Sequence, residues 1–218
     1  IYYLMENIAL TLTQASNISV IVSIAPIFTG ILAHFFLEGE KMKKSIVLGF
    51  VCAMAGICLI TFQKGETVEL NPLGDFLGVA AAAIWGVYSI CSRKIAGFGY
   101  DTIITTRRTF FYGILFMLCA LPFMDFHLSL SALLKPVNLG NIIYLGVGAS
   151  AICFVTWNYA VKSLGATRAS VYIYGIPVVT ILMSIPLLHE VITFQAMAGT
   201  VLTLVGLLIS EWPFSPKK

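Results

Sequence analysis

The sequence predicts an all-α polytopic membrane protein, in which inverted five-helix repeats supply one partial and seven full transmembrane helices. Three observations predict this fold: an apolar composition, long uncharged segments and an internal repeat. The 218 residues are 59% hydrophobic and 11% charged, with a mean hydropathy of +0.94, whereas soluble domains carry about 25% charged residues. So few charges cannot cover the surface of a water-soluble fold, and the same composition excludes intrinsic disorder.

The transmembrane helices are predicted from segments that lack Asp, Glu, Lys and Arg. A helix needs about 20 apolar residues to cross ~30 Å of hydrocarbon. These segments are Asn7–Leu37, Ser45–Gln63, Phe76–Ser92, Thr109–Met124, Pro136–Val161, Ala169–His189 and Val191–Ser210. They are continuously apolar and do not alternate with polar residues, which excludes the strands of a membrane barrel.

The first of these segments is too long for one helix. Its polar hairpin, Thr13–Asn17, suits a helix end followed by a new start. We therefore expect the tail of one span up to about Leu12 and a complete span over about Ser16–Leu37. The apolar start Ile1–Met5 has no charged segment before it, so we expect the interior of a membrane helix and no signal peptide.

The basic residues predict the orientation of the chain. When the loops are assigned to alternate sides, one side receives all of the 13 Lys and Arg except Lys64 and Lys135. Cytoplasmic loops of membrane proteins are enriched in Lys and Arg. We therefore expect a protein of the inner (plasma) membrane, with the basic side and the C-terminus in the cytoplasm.

The chain also aligns with itself, at a shift of 151 residues that becomes 150 after a one-residue deletion. An odd number of helices, five, separates the two copies, so the second copy is inverted in the membrane. Inverted repeats are typical of secondary transporters, whose binding site lies between the halves. The aligned pairs include Asn7 and Asn158, Pro26 and Pro177, Glu40 and Glu190, Gly49 and Gly199, and Gly56 and Gly206.

The repeat predicts the domain organisation. We expect residues 1–64 to form the third to fifth helices of the first repeat, residues 70–211 the whole second repeat, and residues 212–218 a cytoplasmic tail. The second repeat has two helices for which the first has no counterpart in this chain. The complete protein is therefore expected to have ten spans.

Short motifs add a family resemblance. The first half contains Asn-x-Ala-Leu, Ala-Ser-Asn, Pro-x-Phe-Thr and Leu-Glu-Gly-Glu, followed by Gly-x6-Gly, and the second half repeats part of this order. The pattern resembles the EamA-type branch of the drug/metabolite transporter superfamily over about Met5 to Ser210. The resemblance implies a ten-helix carrier of two inverted repeats that exports amino acids, other metabolites or drugs. The chain departs from it by lacking the first two helices.

Candidate cavity-lining residues lie on polar or aromatic stripes of the predicted helices. Paired prolines in the two halves of a carrier point to its binding site, and a polar stripe in a membrane helix is expected to face protein or water. Helix packing through small residues is the alternative for each stripe, and it fits Tyr174 poorly because its hydroxyl needs a partner. The candidates are Ser19, Ser23, Pro26, Trp85, Tyr88, Ser89, Asn158, Ser170, Tyr174 and Pro177.

Two kinds of residue outside these stripes, carboxylates and glycines, are also candidates for a role. Glu6 is the carboxylate within a predicted span, which makes it a candidate for proton coupling or for pairing with a cation; a position at the outer interface is the alternative. Glu40 and Glu190 sit in matched loops and are better explained by helix capping or a loop salt bridge. The glycine pairs, and Gly74 with Gly78, favour close helix packing, while Gly74 and Gly78 also suit a homodimer interface.

Other classes of protein are not supported by the sequence. The five cysteines are scattered through apolar segments and favour packing. We expect no metal, no cofactor, no nucleic acid and no enzyme activity, because the corresponding motifs are missing. The expected function is export of small organic metabolites, amino acids among the candidates, by a secondary transporter embedded in the lipid bilayer. The alternatives are a multidrug exporter and, from another class, a non-transporting membrane scaffold or sensor.

Overall fold

The computed structural model describes residues 1–13, 15–61, 71–123, 130–176, 178–179, 183 and 193–212. These residues form helices, and none of them belongs to a β-strand. The α-helices are α1 Tyr2–Leu12, α2 Ala15–Val22, α3 Ala25–Phe36, α4 Lys44–Thr61, α5 Pro72–Gly97, α6 Thr102–Ala120, α7 Leu130–Leu133, α8 Pro136–Ile143, α9 Cys153–Leu164, α10 Ala166–Val171 and α11 Phe194–Glu211. Short 3-10 helices cover Leu121–Phe123 and Tyr172–Gly175, and a π-helical segment, Tyr144–Ile152, joins α8 to α9.

Five helical segments among the described residues are long and apolar enough to cross a membrane: Ile18–Phe36, Lys44–Thr61, Pro72–Gly97, Pro136–Leu164 and Phe194–Glu211. The prediction of an all-α polytopic membrane protein is therefore confirmed at this level. Helix α6 is 19 residues long but carries Arg107 and Arg108 and is not one of the five. The predicted span Ala169–His189 falls partly outside the described residues, so the full count of helices stays a prediction.

The chain breaks twice within its first long apolar segment. Helix α1 ends at Leu12 and α2 begins at Ala15, where the polar hairpin was predicted. A second break follows at Ser23 and Ile24, and Pro26 lies in the first turn of α3. Proline is tolerated there because the first turn of a helix leaves its N–H groups without intrahelical partners. The proline therefore marks a helix start within the predicted span.

The chain divides into two compact units, one of residues 1–91 and 164–218 and one of residues 92–163. In the first unit, α4 and α11 cross in antiparallel contact through glycines. A Cβ on Gly56 would lie 2.5 Å from the Gly199 carbonyl oxygen, and a Cβ on Gly49 would lie 2.5 Å from that of Gly206. No larger side chain fits at these positions, so the glycines serve close helix packing.

Helix α5 packs in the same unit against the first three helices, again through glycines. A Cβ on Gly74 would lie 3.0 Å from the Thr13 side chain, one on Gly78 2.9 Å from Ile18, and one on Gly86 3.2 Å from the Thr29 nitrogen. Gly74 and Gly78 thus pack within the chain, which is the first of their two predicted uses.

The second unit is organised by its helix ends. The Asp101 side chain caps α6 by accepting a hydrogen bond from the Ile104 nitrogen at 3.0 Å. The Arg93 guanidinium donates to the Lys162 carbonyl oxygen at 2.7 Å, near the end of α9. A cation in this position satisfies a terminal carbonyl and suits the negative end of the helix dipole.

Candidate functional site

Three aromatic rings and a carboxylate meet between α1 and α5 in the first unit. The ring centroids of Tyr2 and Trp85 are 5.1 Å apart, and those of Trp85 and Tyr88 are 5.6 Å apart. The Tyr2 hydroxyl donates a hydrogen bond to Glu6 Oε1 at 2.8 Å. We call Tyr2, Glu6, Trp85 and Tyr88 the aromatic–Glu6 group; all four side chains are half-buried.

A second contact between the same helices locates this group along α5. Thr13 donates a hydrogen bond from its hydroxyl to Asp75 Oδ1 at 3.2 Å, at the end of α1 and the start of α5. Trp85 lies ten residues along α5 from Asp75, which is ~15 Å at the rise of an α-helix. This distance along α5 equals about half of the ~30 Å thickness of a hydrocarbon core.

Three of these four residues are candidates predicted from the sequence, on separate grounds. Trp85 and Tyr88 stood out as an aromatic stripe and Glu6 as a carboxylate within a span, while Tyr2 was not selected. Tyr2 precedes Glu6 by four residues, and residues four apart share a helix face. That spacing was a signal that could have identified it.

The stripe around the break at Ser23 is mostly turned inward. Ser23 and Pro26 are buried, and the Ser23 hydroxyl donates to the Ser19 carbonyl oxygen at 2.7 Å. Ser19 itself is exposed, so it is not part of the buried face. Ser89 on α5 is fully buried and donates to the Trp85 carbonyl oxygen at 3.0 Å. Serines bonded to their own helix in this way contribute small size and leave the backbone satisfied.

Tyr174 and Ser170 lie in a packed core. Tyr174 is fully buried in a cluster with Ala53, Ile57 and Val171. Its hydroxyl has no hydrogen-bond partner among the described residues. Ser170 is fully buried and donates to the Thr167 carbonyl oxygen at 2.8 Å. The substrate contact of Tyr174 stays a prediction, and Pro177 lies outside the described residues.

Glu40 caps the start of α10. Its carboxylate accepts hydrogen bonds from the Ala166 nitrogen at 3.1 Å, the Thr167 nitrogen at 2.9 Å and the Thr167 hydroxyl at 3.0 Å. A carboxylate at a helix N-terminus satisfies unpaired N–H groups and suits the positive end of the dipole. The preceding Gly165 has φ +91°, and a Cβ there would lie 2.7 Å from Glu40 Oε1. The capping role predicted for Glu40 is confirmed, whereas Glu190 lies outside the described residues.

Asn158 joins three helices in the second unit. Its side-chain oxygen accepts from the Ser92 hydroxyl at 2.7 Å, and its side-chain nitrogen donates to the Thr106 hydroxyl oxygen at 2.9 Å. These contacts connect α9 to α5 and α6. Tyr100, Ser92 and Asn158 also line a small open cleft. The Asn158 side chain is 7% exposed, and its polar atoms are engaged in holding the helices together.

The described residues contain no group of three His, Cys, Asp or Glu side chains that could hold a metal ion. The aromatic–Glu6 group has a different chemistry. It offers ring faces and a carboxylate within an apolar surrounding, which can bind a small molecule without covalent chemistry.

Comparison with known proteins gives several related transporters. An uncharacterized transporter of Archaeoglobus fulgidus is 30% identical over 210 residues, which cover 96% of this chain and 72% of the relative. One of Bacillus subtilis is 28% identical, covering 94% of this chain and 67% of the relative. A probable terminal-alkyne amino-acid exporter of Streptantibioticus cattleyicolor is 27% identical, covering 95% and 68%. A solved crystal structure shares the fold, with a TM-score of 0.81 at 21% identity, covering 96% of this chain and 71% of the other.

A family profile matches nearly the whole chain, in two segments. These are residues 1–62 and residues 72–212, which meet near the predicted boundary between the repeats. The profile is that of the EamA-like transporter family. The helical membrane fold described above and the transporter relatives both agree with this match. The chain therefore belongs to the EamA-like transporter family.

Proposed function

We propose that the chain is a secondary transporter that exports small organic metabolites, amino acids among them, across the plasma membrane by alternating access. The moving parts are two inverted repeats, residues 1–64 and 70–211, with residues 212–218 as a cytoplasmic tail. The substrate site lies at the aromatic–Glu6 group, near the middle of the membrane. Binding sites of such carriers lie near the bilayer midplane, where the repeats meet.

The packing of α4 against α11 is the observation that carries the proposal. Gly49 meets Gly206, and the repeat counterparts of these two residues, Gly199 and Gly56, meet each other as well. Contacts that exchange their partners in this way are typical of two elements related by a two-fold axis. The antiparallel crossing puts that axis perpendicular to the helices, which supports an inverted repeat.

One further contact of the same helices supports this axis. The Cys52 thiol donates to the carbonyl oxygen of Leu202 at 3.4 Å. The two residues are 150 positions apart, the shift that aligns the repeats in this region. A residue on a two-fold axis faces its own counterpart, so Cys52 and Leu202 fit the position of the axis.

Amino acids are favoured as substrates by one relative and by the chemistry of the site. The relative from Streptantibioticus cattleyicolor is a probable amino-acid exporter. The aromatic–Glu6 group offers both a carboxylate and ring faces, which suit the charged and apolar parts of such a molecule. The distribution of Lys and Arg supports a cytoplasmic C-terminus.

A flux assay tests the proposal. The full-length protein is reconstituted into liposomes loaded with a mixture of amino acids and other metabolites, and efflux is followed by mass spectrometry. We expect efflux of at least one amino acid that is competed by an excess of the same compound and is reduced at least tenfold by Trp85→Ala. Trp212→Ala is the matched control, because Trp212 is exposed at the end of α11. Absence of saturable efflux over the whole mixture would contradict the proposal.

Multidrug export is the second candidate, because the rings of the aromatic–Glu6 group also suit amphipathic drugs. Drug resistance conferred on a host strain, without any change in amino-acid tolerance, would favour it. A non-transporting scaffold or sensor would predict no efflux and a stable protein partner instead. We expect the lipid bilayer and the small-molecule substrate to be the partners, and a homodimer is tested by the mass of the purified protein.

A further inference from the structure

Glu6 has an unusual electrostatic environment for a carboxylate in the middle of a membrane. Helix α1 contains no Lys, Arg or His, and neither does α5 before Arg93. An ionised side chain in the hydrocarbon region is costly and normally pairs with an opposite charge or lines a functional cavity. The two helices that form the aromatic–Glu6 group provide no such partner at that depth.

The described hydrogen bonding of Glu6 uses part of its acceptor capacity. Among the residues that the structure describes, the Tyr2 hydroxyl bonds to its carboxylate, at 2.8 Å from Oε1. A carboxylate has about four acceptor positions on its two oxygens. A ligand that donates several N–H bonds and carries a positive charge would complete this coordination.

The three rings provide the second requirement of a cation site. The planes of Tyr2 and Trp85 are inclined by 52°, and those of Trp85 and Tyr88 by 43°. The rings are tilted, so they do not cover one another as a parallel stack would. A cation is attracted to the face of an aromatic ring, most strongly to that of Trp.

We propose that the aromatic–Glu6 group binds the protonated amine of the transported molecule. The ammonium group donates to Glu6, while the ring faces of Tyr2, Trp85 and Tyr88 surround its carbon substituents. This inference rests on the proposed function and narrows its substrates to metabolites that carry a protonated amine, as amino acids do. Neutral and purely anionic metabolites are expected to bind more weakly, because they bring no positive charge to the Glu6 carboxylate.

A matched ligand series tests the charge requirement on the unmodified protein. Tyramine, 2-(4-hydroxyphenyl)ethanol and 3-(4-hydroxyphenyl)propionate share a phenol and a short carbon chain but are cationic, neutral and anionic. Binding to the full-length protein in lipid nanodiscs is measured by calorimetry. We expect tyramine to bind at least tenfold more tightly than the alcohol and the propionate to show the weakest binding. Equal affinities, or no tyramine binding, would overturn the proposal.

Variants assign the effect to the site. Glu6→Gln keeps the shape of the side chain and removes its charge, so tyramine should lose about tenfold in affinity while the alcohol is unaffected. Glu38→Gln is the matched control, since Glu38 is an exposed carboxylate in the loop after α3. Trp85→Leu should weaken tyramine and the alcohol together, because both lose the ring. Unchanged tyramine affinity in Glu6→Gln would refute the role of Glu6.

The outcome is separable from that of the flux assay. Efflux of metabolites without selective tyramine binding would leave the carrier proposal in place and reject the amine site. Selective tyramine binding without efflux of any metabolite would support the amine site and reject the carrier proposal. Folding of each variant is checked by gel filtration, and the ligand series on the unmodified protein remains decisive where a variant does not fold.

Discussion

Glu40 connects two segments that are 126 residues apart in the sequence. Its carboxylate accepts from two backbone nitrogens and one hydroxyl at the start of α10, where Gly165 supplies the positive φ and the space that the carboxylate needs. Charge-assisted bonds of this kind are shorter and stronger than neutral ones. The short helix α10, which has six residues, therefore depends on a side chain from a distant loop for its first turn.

Glu40→Gln is expected to destabilise the protein by ~1–2 kcal/mol, the usual effect of losing a helix cap. The amide keeps one acceptor oxygen but loses the charge and the second acceptor. For a protein of this size the change corresponds to a fall in Tm of about 2–8 °C, measured by thermal unfolding in detergent. Glu38→Gln, two residues away and exposed, should leave Tm unchanged. Equal Tm values for the two variants would show that the cap contributes nothing.

Asn158 allows a test of coupling between helices. Its hydrogen bond from Ser92 should contribute ~0.6–2 kcal/mol, as measured for polar contacts between membrane helices. We expect Ser92→Ala and Asn158→Ala each to lower the free energy of unfolding. The double variant should fall by less than the sum of the two, because both remove the same bond. Strict additivity in this double-mutant cycle would mean that Ser92 and Asn158 act independently.

At the scale of elements, the crossing of α4 and α11 is set by the absence of side chains at four positions. A Cβ on Gly56 would meet the Thr203 hydroxyl and would lie 2.6 Å from the Thr203 nitrogen. We expect Gly56→Ala to cost ~1–3 kcal/mol through overpacking. The matched control is Gly113→Ala in α6, where a Cβ meets nothing within 4 Å and where alanine favours the helix by up to ~1 kcal/mol. Chemical denaturation compares the two, and equal stability would contradict the close crossing.

The sequence predicted these elements well because their signals are local. Charge-free length located the membrane helices, and the seven-residue spacing of the glycines located the crossing face. The meeting of Tyr2, which bonds to Glu6, with Trp85 could not be predicted, because a stripe relates only the residues of one helix. Tyr174 is ambiguous for the same reason: a large polar residue on an inward face fits a cavity wall and a packed core equally well until its neighbours are known.

At the scale of the whole molecule, the surface composition fits a lipid environment. Large apolar side chains are exposed along the helices, among them Val51 and Leu48 on α4 and Phe111 and Phe116 on α6. Water-soluble monomers rarely expose contiguous apolar patches of this kind. Contact with lipid removes the cost of exposing these apolar side chains. The helices therefore need to bury little inside the protein beyond the glycine crossings, the Glu40 cap and the polar contacts of Asn158.

The orientation of the molecule gives the last prediction. Three long helices, α4, α5 and α6, separate Lys43 from Lys135, so the two residues should lie on opposite sides of the membrane. In a variant without cysteines, Lys135→Cys is expected to react with a membrane-impermeant maleimide in intact cells. Lys43→Cys should react only after the cells are permeabilised, because the Lys-rich loop is expected to face the cytoplasm. The reverse pattern would invert the orientation, and labelling of both only after permeabilisation would mean that α6, with Arg107 and Arg108, does not cross.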